Sequence, residues 1–196
     1  MKTIFNVLAA LVLLTNVAVA QVKWKVDPAH TNARFEVKHL GIAFVDGQFK
    51  QLEGTVESAT DKDFAGAKVN FTIDVNSIDT RIEMRDNHLK SDDFFSAEKF
   101  PKMTLSNGVL TKGKNGKYSL TGDLTIRDVT KKITFAVVQN NGVITDPWGK
   151  TRAGFTATAT INRFDYNINY NDKLPTGVDA VAPNISITVN VEIVKD

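Results

Sequence analysis

The chain has no cysteine among its 196 residues. This absence excludes a disulfide framework, and it also excludes a lipid anchor carried by a cysteine behind a cleaved leader. The three histidines, His30, His39 and His88, are far apart in the sequence, whereas a metal site would need more ligands close together. The spacing of the histidines therefore predicts no metal ion, and the formal net charge of only +2 gives no sign of a nucleic acid as partner.

Long apolar runs are also missing, except near the N-terminus. There LAALVLL (Leu8–Leu14) follows a lysine and precedes Ala18-Val19-Ala20, a small-residue cleavage signal. The run is too short for a membrane span, which needs about 20 apolar residues. The sequence therefore predicts a signal peptide at residues 1–20, cleavage after Ala20, and one domain of residues 21–196 exported to the periplasm.

Alternation of apolar and polar residues organises most of that domain. In KVNFTIDV, for example, Val69, Phe71, Ile73 and Val75 share one face. A period of two with one apolar face is typical of antiparallel strands that cover a single interior, and the chain has about eight such segments. The others are RFEVKHL, AFVDGQFKQLEGTVE, KMTLSNGVL, YSLTGDLTI, KITFAVV, GFTATATI and NISITVNVEI.

This pattern predicts an all-β fold, either an eight-stranded antiparallel barrel or a sandwich. Asn115-Gly116 predicts a hairpin turn, and the odd apolar step from Phe49 to Leu52 predicts a bulge near Lys50 and Gln51. Small residues such as Ala157 share faces with large aromatic ones. They either compensate for large neighbours in a packed core or leave a channel for a ligand, and the pattern alone leaves both open.

The stretch RDNHLKSDDFF, Arg85–Phe95, interrupts the alternation and carries many charges. Asp86 and His88 are two residues apart, so on a helix they point to different faces and cannot share a metal ion or a substrate. We therefore interpret residues 80–95 as a helical segment that caps the barrel, with Asp79 or Thr80 as its N-cap.

Ile82 and Leu89 are predicted to share the inner face of this helix, with Met84 beside them. Phe94 and Phe95 are adjacent in a short turn, so they should not both point the same way. One is expected to anchor the cap in the core, and the other to face the interior of the barrel.

Four motifs resemble those of the YceI-like family: DPAHTNARFEVKHLGIAFVDGQF, RDNHLKSDDFFSAEKFP, GDLTIRDVTKKITF and INRFDYNI. They occur in order along almost the whole domain. The resemblance implies an extended lipocalin-like barrel with a helical cap, usually periplasmic, that binds long-chain amphiphiles such as prenyl diphosphates or isoprenoid quinones. It brings no catalytic residues and no cofactor. One departure is Tyr166-Asn167-Ile168, where the family often has Phe-Gly-Ile.

We therefore expect a carrier or store of a polyisoprenoid lipid, and not an enzyme. A polyprenyl tail needs mainly apolar contacts, because burial contributes roughly 25 cal/mol per Å². His39 shares a face with Phe35 and Val37, so it either contacts the lipid head or is a hydrogen-bonded core residue. The predicted ligand-binding residues are Phe35, Val37, His39, Phe49, Phe71, Ile73, Met84, Leu89, Phe94, Phe95, Phe135, Phe155, Ala157, Ala159 and Phe164.

Two other functions stay open from the sequence. The barrel could hold an enzyme acting on an isoprenoid lipid, although no set of nucleophile, base and orienting residue is evident. It could also be a ligand-free protein whose role is a protein contact under envelope stress. A homodimer is left open as well.

Overall fold

The computed structural model of the protein describes residues 21–196, so the predicted signal peptide lies outside the described residues. Within that range, the fold consists of twelve strands, one α-helix and three short 3-10 turns. No helix in the described part of the chain is long and apolar enough to cross a bilayer.

The elements follow one another with short connections. The 3-10 turns are Val75–Ser77, Lys114–Gly116 and Arg163–Tyr166. The strands and the helix are β1 (Val22–Val26), β2 (Asn32–His39), β3 (Ala43–Phe49), β4 (Leu52–Ser58), β5 (Lys68–Asp74), β6 (Ile78–Asp79), α1 (Glu83–Lys90), β7 (Lys102–Lys112), β8 (Tyr118–Ile126), β9 (Val129–Gln139), β10 (Ile144–Thr145), β11 (Thr151–Asn162) and β12 (Val181–Lys195).

The sheet closes into an antiparallel barrel with eight strand positions, as the alternation and the resemblance predict. Strands β7, β8, β9, β11 and β12 each occupy one position, and the two-residue strand β10 continues the position of β9 beside β11. Each remaining position is shared by two strands that follow one another along the wall, namely β1 with β2, β3 with β4, and β5 with β6. The pairing of β11 with β12, from Arg152 opposite Val194 to Asn162 opposite Asn184, closes the ring.

The three shared positions are all interrupted at the same level of the wall. The predicted irregularity lies here, because β3 ends at Phe49 and β4 begins at Leu52. The backbone N–H of Lys50 donates to the Ser77 carbonyl at 3.2 Å, and that of Gln51 donates to the Ser77 hydroxyl at 3.0 Å. The backbone N–H groups of Lys50 and Gln51 lie in the break between β3 and β4 and have no partner in the sheet. The turn Val75–Ser77 supplies their hydrogen-bond acceptors.

Two clusters of buried side chains fill opposite ends of the barrel. The plug cluster lies where β7 ends and β8 begins, and it includes Trp24, Phe64, Phe155 and Ile193. Its rings are in direct contact, with centroid distances of 5.2 Å for Trp24–Phe64 and 5.0 Å for Phe64–Phe155. The cap cluster lies at the other end, and it includes Phe49, Phe94, Ile126, Tyr166 and Ile168.

Helix α1 differs from the prediction in its start and in its apolar face. It begins at Glu83 after Ile82, which supplies no side-chain cap, so neither Asp79 nor Thr80 is the N-cap. Ile82 lies outside the helix and is 49% exposed, and Met84 is 82% exposed. Met84 is roughly 140° around the helix axis from Leu89, so the two cannot face the barrel together.

Candidate binding cavity

A cavity of about 220 Å³ lies inside the barrel between the plug cluster and the cap cluster. Inward-facing side chains from strands all around the ring form its wall, as a period of two requires. The cavity is larger than an engineered apolar cavity of about 150 Å³ that stays dry and binds benzene. The interior therefore has room for an apolar ligand, which favours a channel over a completely packed core.

The wall of the cavity is almost entirely apolar. Its polar residues are Arg34, Thr104 and Arg163. Arg34 is on the exposed side of β2, and Thr104 is half-buried in β7. Arg163 is only 2% exposed, so it is the one fully buried charged residue of this wall among residues 21–196.

Most of the side chains proposed from the sequence do line this cavity. They come from five strands of the wall, from α1 and from the segment after α1. These residues are Phe35, Val37, Phe49, Phe71, Ile73, Leu89, Phe94, Phe95, Phe135, Phe155 and Ala157.

His39, Met84, Ala159 and Phe164, which the sequence also proposed, lie outside the wall of this cavity. His39 is the last residue of β2 and lies half-buried, opposite Ala43 on one side and Val181 on the other. Met84 is exposed on α1, for the geometric reason given above.

Ala159 and Phe164 miss the cavity for different reasons. Ala159 has the predicted inward register, but its small side chain packs beside the plug cluster, and the larger Ile187 opposite it lines the cavity instead. Phe164 follows the end of β11 at Asn162, so the alternation no longer applies to it. Its ring lies against the guanidinium of Arg163, 4.2 Å from the ring centroid.

Strand β12 contributes more of the wall than expected. Ile185, Ile187, Val189 and Val191 line the cavity. Their alternation was visible in NISITVNVEI and is the signal that could have identified them. Arg163 is a different case, because nothing in its sequence neighbourhood distinguishes a buried arginine from an exposed one.

Arg163 is held by backbone carbonyl groups at the cap end of the barrel. Its Nε donates to Ala182 O at 3.1 Å, Nη1 to Ile168 O at 2.8 Å, and Nη2 to Val181 O at 2.8 Å. Burial lowers the pKa of the Arg163 guanidinium from its ordinary value. The 3-10 turn thus fixes a positive charge in an apolar wall.

The departure from the family pattern next to Arg163 preserves the backbone of this turn. Asn167 ends the turn with φ 58° and ψ 23°, in the left-handed region. Asparagine is one of the few residues besides glycine that adopt this conformation readily. Asn167 therefore serves in place of the glycine that the resemblance led us to expect.

Phe94 and Phe95 both line the cavity, so the expectation that only one of them faces the interior is wrong. Phe94 is 6% exposed and stacks on Tyr170 with a centroid distance of 4.8 Å. Phe95 is half-buried and meets the Phe49 ring edge-on at 5.8 Å. Arg127 donates to the Phe94 carbonyl at 2.9 Å, which ties this segment to the β8–β9 turn.

Truncating Phe94 is expected to destabilise the protein more than truncating Phe95, because Phe94 is more completely buried. We expect Phe94→Ala to lower the free energy of unfolding by about 3 kcal/mol and Phe95→Ala by about 1–2 kcal/mol. Urea unfolding of both variants measures the difference. Equal losses would mean that the two rings anchor the segment equally.

Several charged side chains of the stretch Arg85–Phe95 have structural partners. Asp86 accepts hydrogen bonds from the Thr80 backbone N–H at 2.8 Å and from its hydroxyl at 2.5 Å. His88 pairs with Asp93 at 2.9 Å, and Asp92 accepts from Ser96 and Lys99. These contacts support the interpretation of the motif as a polar cap.

A second charged group lies outside the barrel, beside the plug end. Arg152 pairs with Asp27 at 2.8 Å, Asp146 at 2.6 Å and Glu192 at 2.5 Å. Asp27, Glu192 and His30 are close enough together to be considered as metal ligands. Because Arg152 already pairs with both of these carboxylates, we interpret the group as an ion-pair network that joins the end of β1 to β11 and β12.

This network predicts a loss of stability in acid. Hydrogen bonds from His30 and then from Arg152 lower the pKa of Asp27 to about 2. The pKa of this carboxyl is lower in the folded state than in the unfolded chain, where it is about 3.9. The carboxylate therefore stabilises the folded protein at any pH above about 3.9, and this stabilisation is lost as the pH falls through the folded-state pKa.

We therefore expect the melting temperature of the protein to fall between about pH 5 and pH 2. Asp27→Asn should remove part of this dependence, whereas Asp46→Asn, at an exposed pair with Arg81, should leave it in place. Thermal melts at intervals of half a pH unit test this. An unchanged pH profile in Asp27→Asn would contradict it.

Comparison with known proteins agrees with this architecture. The sequence model of the YceI-like domain matches residues 24–193. The UPF0312 protein SA2479 of Staphylococcus aureus (strain N315) is 39% identical over 167 residues, which cover 85% of this chain and 94% of that protein.

Solved structures share the fold. The YCEI protein of Campylobacter jejuni is 33% identical with a TM-score of 0.58, over 78% of this chain and 88% of that one. BcnA of Burkholderia cenocepacia is 23% identical with a TM-score of 0.70, over 85% and 98%. A polyisoprenoid binding domain from Saccharophagus degradans is 13% identical with a TM-score of 0.64, over 88% and 98%. Because the domain match spans nearly all described residues, this chain belongs to the YceI-like family.

Proposed function

We propose that the protein binds a long-chain amphiphilic lipid of the polyisoprenoid type inside the barrel and serves as its carrier or store. The observation that carries this proposal is the apolar cavity enclosed between the plug cluster and the cap cluster. An apolar tail transferred from water to such a wall gains roughly 25 cal/mol per Å² of buried surface. Binding therefore needs few polar contacts, which is what the wall offers.

The choice of a polyisoprenoid rests on similarity. The Saccharophagus degradans domain that shares this fold is described as polyisoprenoid binding. The likeness at 13% identity concerns the fold, and we extend the ligand class to this chain because its own interior is apolar.

The composition of the wall supports binding without catalysis. General acid–base or nucleophilic chemistry needs a base within hydrogen-bond reach of a nucleophile or a water molecule. Among residues 21–196, the wall contains one hydroxyl, on Thr104, and no histidine, carboxylate or lysine side chain. We therefore propose a binding protein in preference to an enzyme acting on the lipid.

Organic extraction of the protein purified from its native host, followed by mass spectrometry, tests the proposal. We expect a prenylated lipid in an amount comparable to that of the protein. An extract without lipid, together with no binding of a prenylated probe, would contradict the proposal and favour the ligand-free alternative. Incubation with a labelled prenyl lipid separates carrier from enzyme, because a carrier returns the lipid unchanged.

The proposed compartment is the periplasm, after removal of residues 1–20. Osmotic-shock fractionation of the native host should release the protein with Gln21 as its first residue. Recovery in the cytoplasmic fraction with Met1 retained would contradict this localisation.

A further inference from the structure

We propose that the lipid enters and leaves the barrel sideways, through a slit in the wall between residues 132–135 of β9 and residues 159–162 of β11. The slit lies in the half of the barrel that holds the cap cluster, because Ile126, Val129 and Ile161, at the ends of β8, β9 and β11, belong to that cluster or pack against it. This inference rests on the proposed function, since it specifies the route by which the lipid reaches the cavity.

The pairing between β9 and β11 stops before either strand ends. Toward the cap end, the last paired residues are Ala136 of β9 and Thr158 of β11. Continuing the same register would bring residues 132–135 opposite residues 159–162. Among residues 21–196, however, no backbone hydrogen bond joins the two strands on the cap side of Ala136 and Thr158. The wall of the barrel is therefore interrupted along this part of the two strands.

Both strands stay regular beside the slit because each is paired on its other edge. Strand β9 pairs with β8 as far as Val129, and β11 pairs with β12 as far as Asn162. The edges that face each other across the slit carry backbone N–H and C=O groups without a partner in the sheet. Since backbone groups shielded from water are almost always hydrogen-bonded, these edges are in contact with water. The slit is thus a hydrated break in the wall.

The side chains beside the slit agree with an opening at this place. Ile133 and Ala159 have an inward register and do not line the cavity, yet both are only half-buried. On the same faces at the paired level, Val137 is 3% exposed and Ala157 is 8% exposed. We therefore attribute the exposed surface of Ile133 and Ala159 to the slit. Ile161 lines the cavity, so the slit adjoins the proposed binding site.

Opening the barrel at the slit disrupts less structure than opening it elsewhere. Strand β8 pairs with β9 along its whole length, and β11 pairs with β12 from Arg152 to Asn162, so separating either pair would leave backbone groups without partners. The plug end is closed by Phe64, which is 0% exposed. Across the slit lies an ion pair of Lys131 and Asp165 at 2.9 Å, and both side chains are about half exposed. Exposed ion pairs contribute little to stability, so this one is a weak restraint.

A covalent link across the slit tests the route. The chain has no cysteine, so the double variant Thr134→Cys/Thr160→Cys carries only two thiols. Both threonines are exposed, and the cross-link is added after folding, so we expect the variant to fold normally. A bismaleimide joins the thiols even where they are too far apart for a disulfide. Mass spectrometry verifies the link.

The probe is geranylgeraniol with a dansyl group at its hydroxyl end, followed by stopped-flow fluorescence. We expect the cross-link to lower the rate constants of uptake and release by at least about tenfold each, because the strands can no longer separate. The equilibrium affinity should stay unchanged, since the link lies on the outer surface and leaves the cavity wall intact. The same double variant without the cross-linker should bind and release the probe at wild-type rates.

The matched control is Thr121→Cys/Thr134→Cys, which shares one position with the first variant. Thr121 and Thr134 are paired in the β8–β9 ladder, and their hydroxyl oxygens are 2.9 Å apart. Since these strands are already joined, the same cross-linker should leave both rates at wild-type values.

The outcomes separate this inference from the proposed function. If wild-type protein does not bind the probe, the proposed function fails. If it binds, but the link across the slit leaves both rates unchanged or slows them no more than the control link does, the proposed function stands and the route through the slit is wrong.

Discussion

Replacing Phe64 with alanine is expected to lower the free energy of unfolding by about 4 kcal/mol, within the range for a buried phenylalanine. The side chain is 0% exposed and forms the centre of the plug cluster. It meets the Phe155 ring edge-on at 5.0 Å and lies 5.2 Å from the Trp24 ring. Its removal leaves a void between two large rings held by different strands, so neighbouring side chains cannot move in to fill it.

Phe44→Ala is the matched control. Phe44 is 61% exposed on β3, and the same truncation there should change the free energy of unfolding by less than about 1 kcal/mol. Guanidinium unfolding of both variants gives the comparison. A loss of under 1 kcal/mol in Phe64→Ala would show that the plug end rearranges freely, contrary to a rigid plug cluster.

The second large effect concerns the cavity itself. Ala157 is 8% exposed, lies between Val137 and Val189 in the ladder, and lines the cavity. A phenylalanine at this position would project its ring into a space of about 220 Å³. We expect Ala157→Phe to reduce binding of a prenyl lipid by two orders of magnitude or more while the protein remains folded.

Stability separates obstruction of the cavity from general damage. Adding volume to a filled core lowers the free energy of unfolding by on the order of 1–3 kcal/mol, whereas a ring placed in open space lowers it by less. Thr158→Phe is the control, because Thr158 is the next residue of β11 and faces solvent. Lipid titration and thermal melting of both variants measure the two effects. Retained binding in Ala157→Phe would show that the lipid does not occupy this part of the barrel.

The sequence alone determined the fold class and the inner face of most strands. A period of two is a local property, since successive side chains of a strand point to opposite sides wherever the strand lies. Phe35, Phe71, Phe135 and Phe155 were therefore assigned correctly to the interior. The order of the family motifs carried the same information about the whole domain, including its single-barrel organisation.

The sequence predicted that a helix caps the barrel, but not where the helix begins or which of its residues face inward. The sequence offered Asp79 and Thr80 as N-caps, but Thr80 bonds Asp86 and Arg85 instead and is buried against β3, where the missing side chain of Gly47 leaves room for it. Once the helix begins after Ile82, its few turns cannot bring both Met84 and Leu89 to the barrel. The start of a short helix thus depends on tertiary contacts that local propensity does not contain.

Only the tertiary structure decided which inward residues face open space and which face other side chains. Ala157 and Ala159 point to the same side of β11, yet only Ala157 lines the cavity. Arg163 was beyond prediction for a related reason. Its burial depends on carbonyl groups at Ile168, Val181 and Ala182, which the closure of β11 against β12 brings together. A local pattern fixes the direction of a side chain, whereas the distance to the opposite wall is set by every strand of the ring.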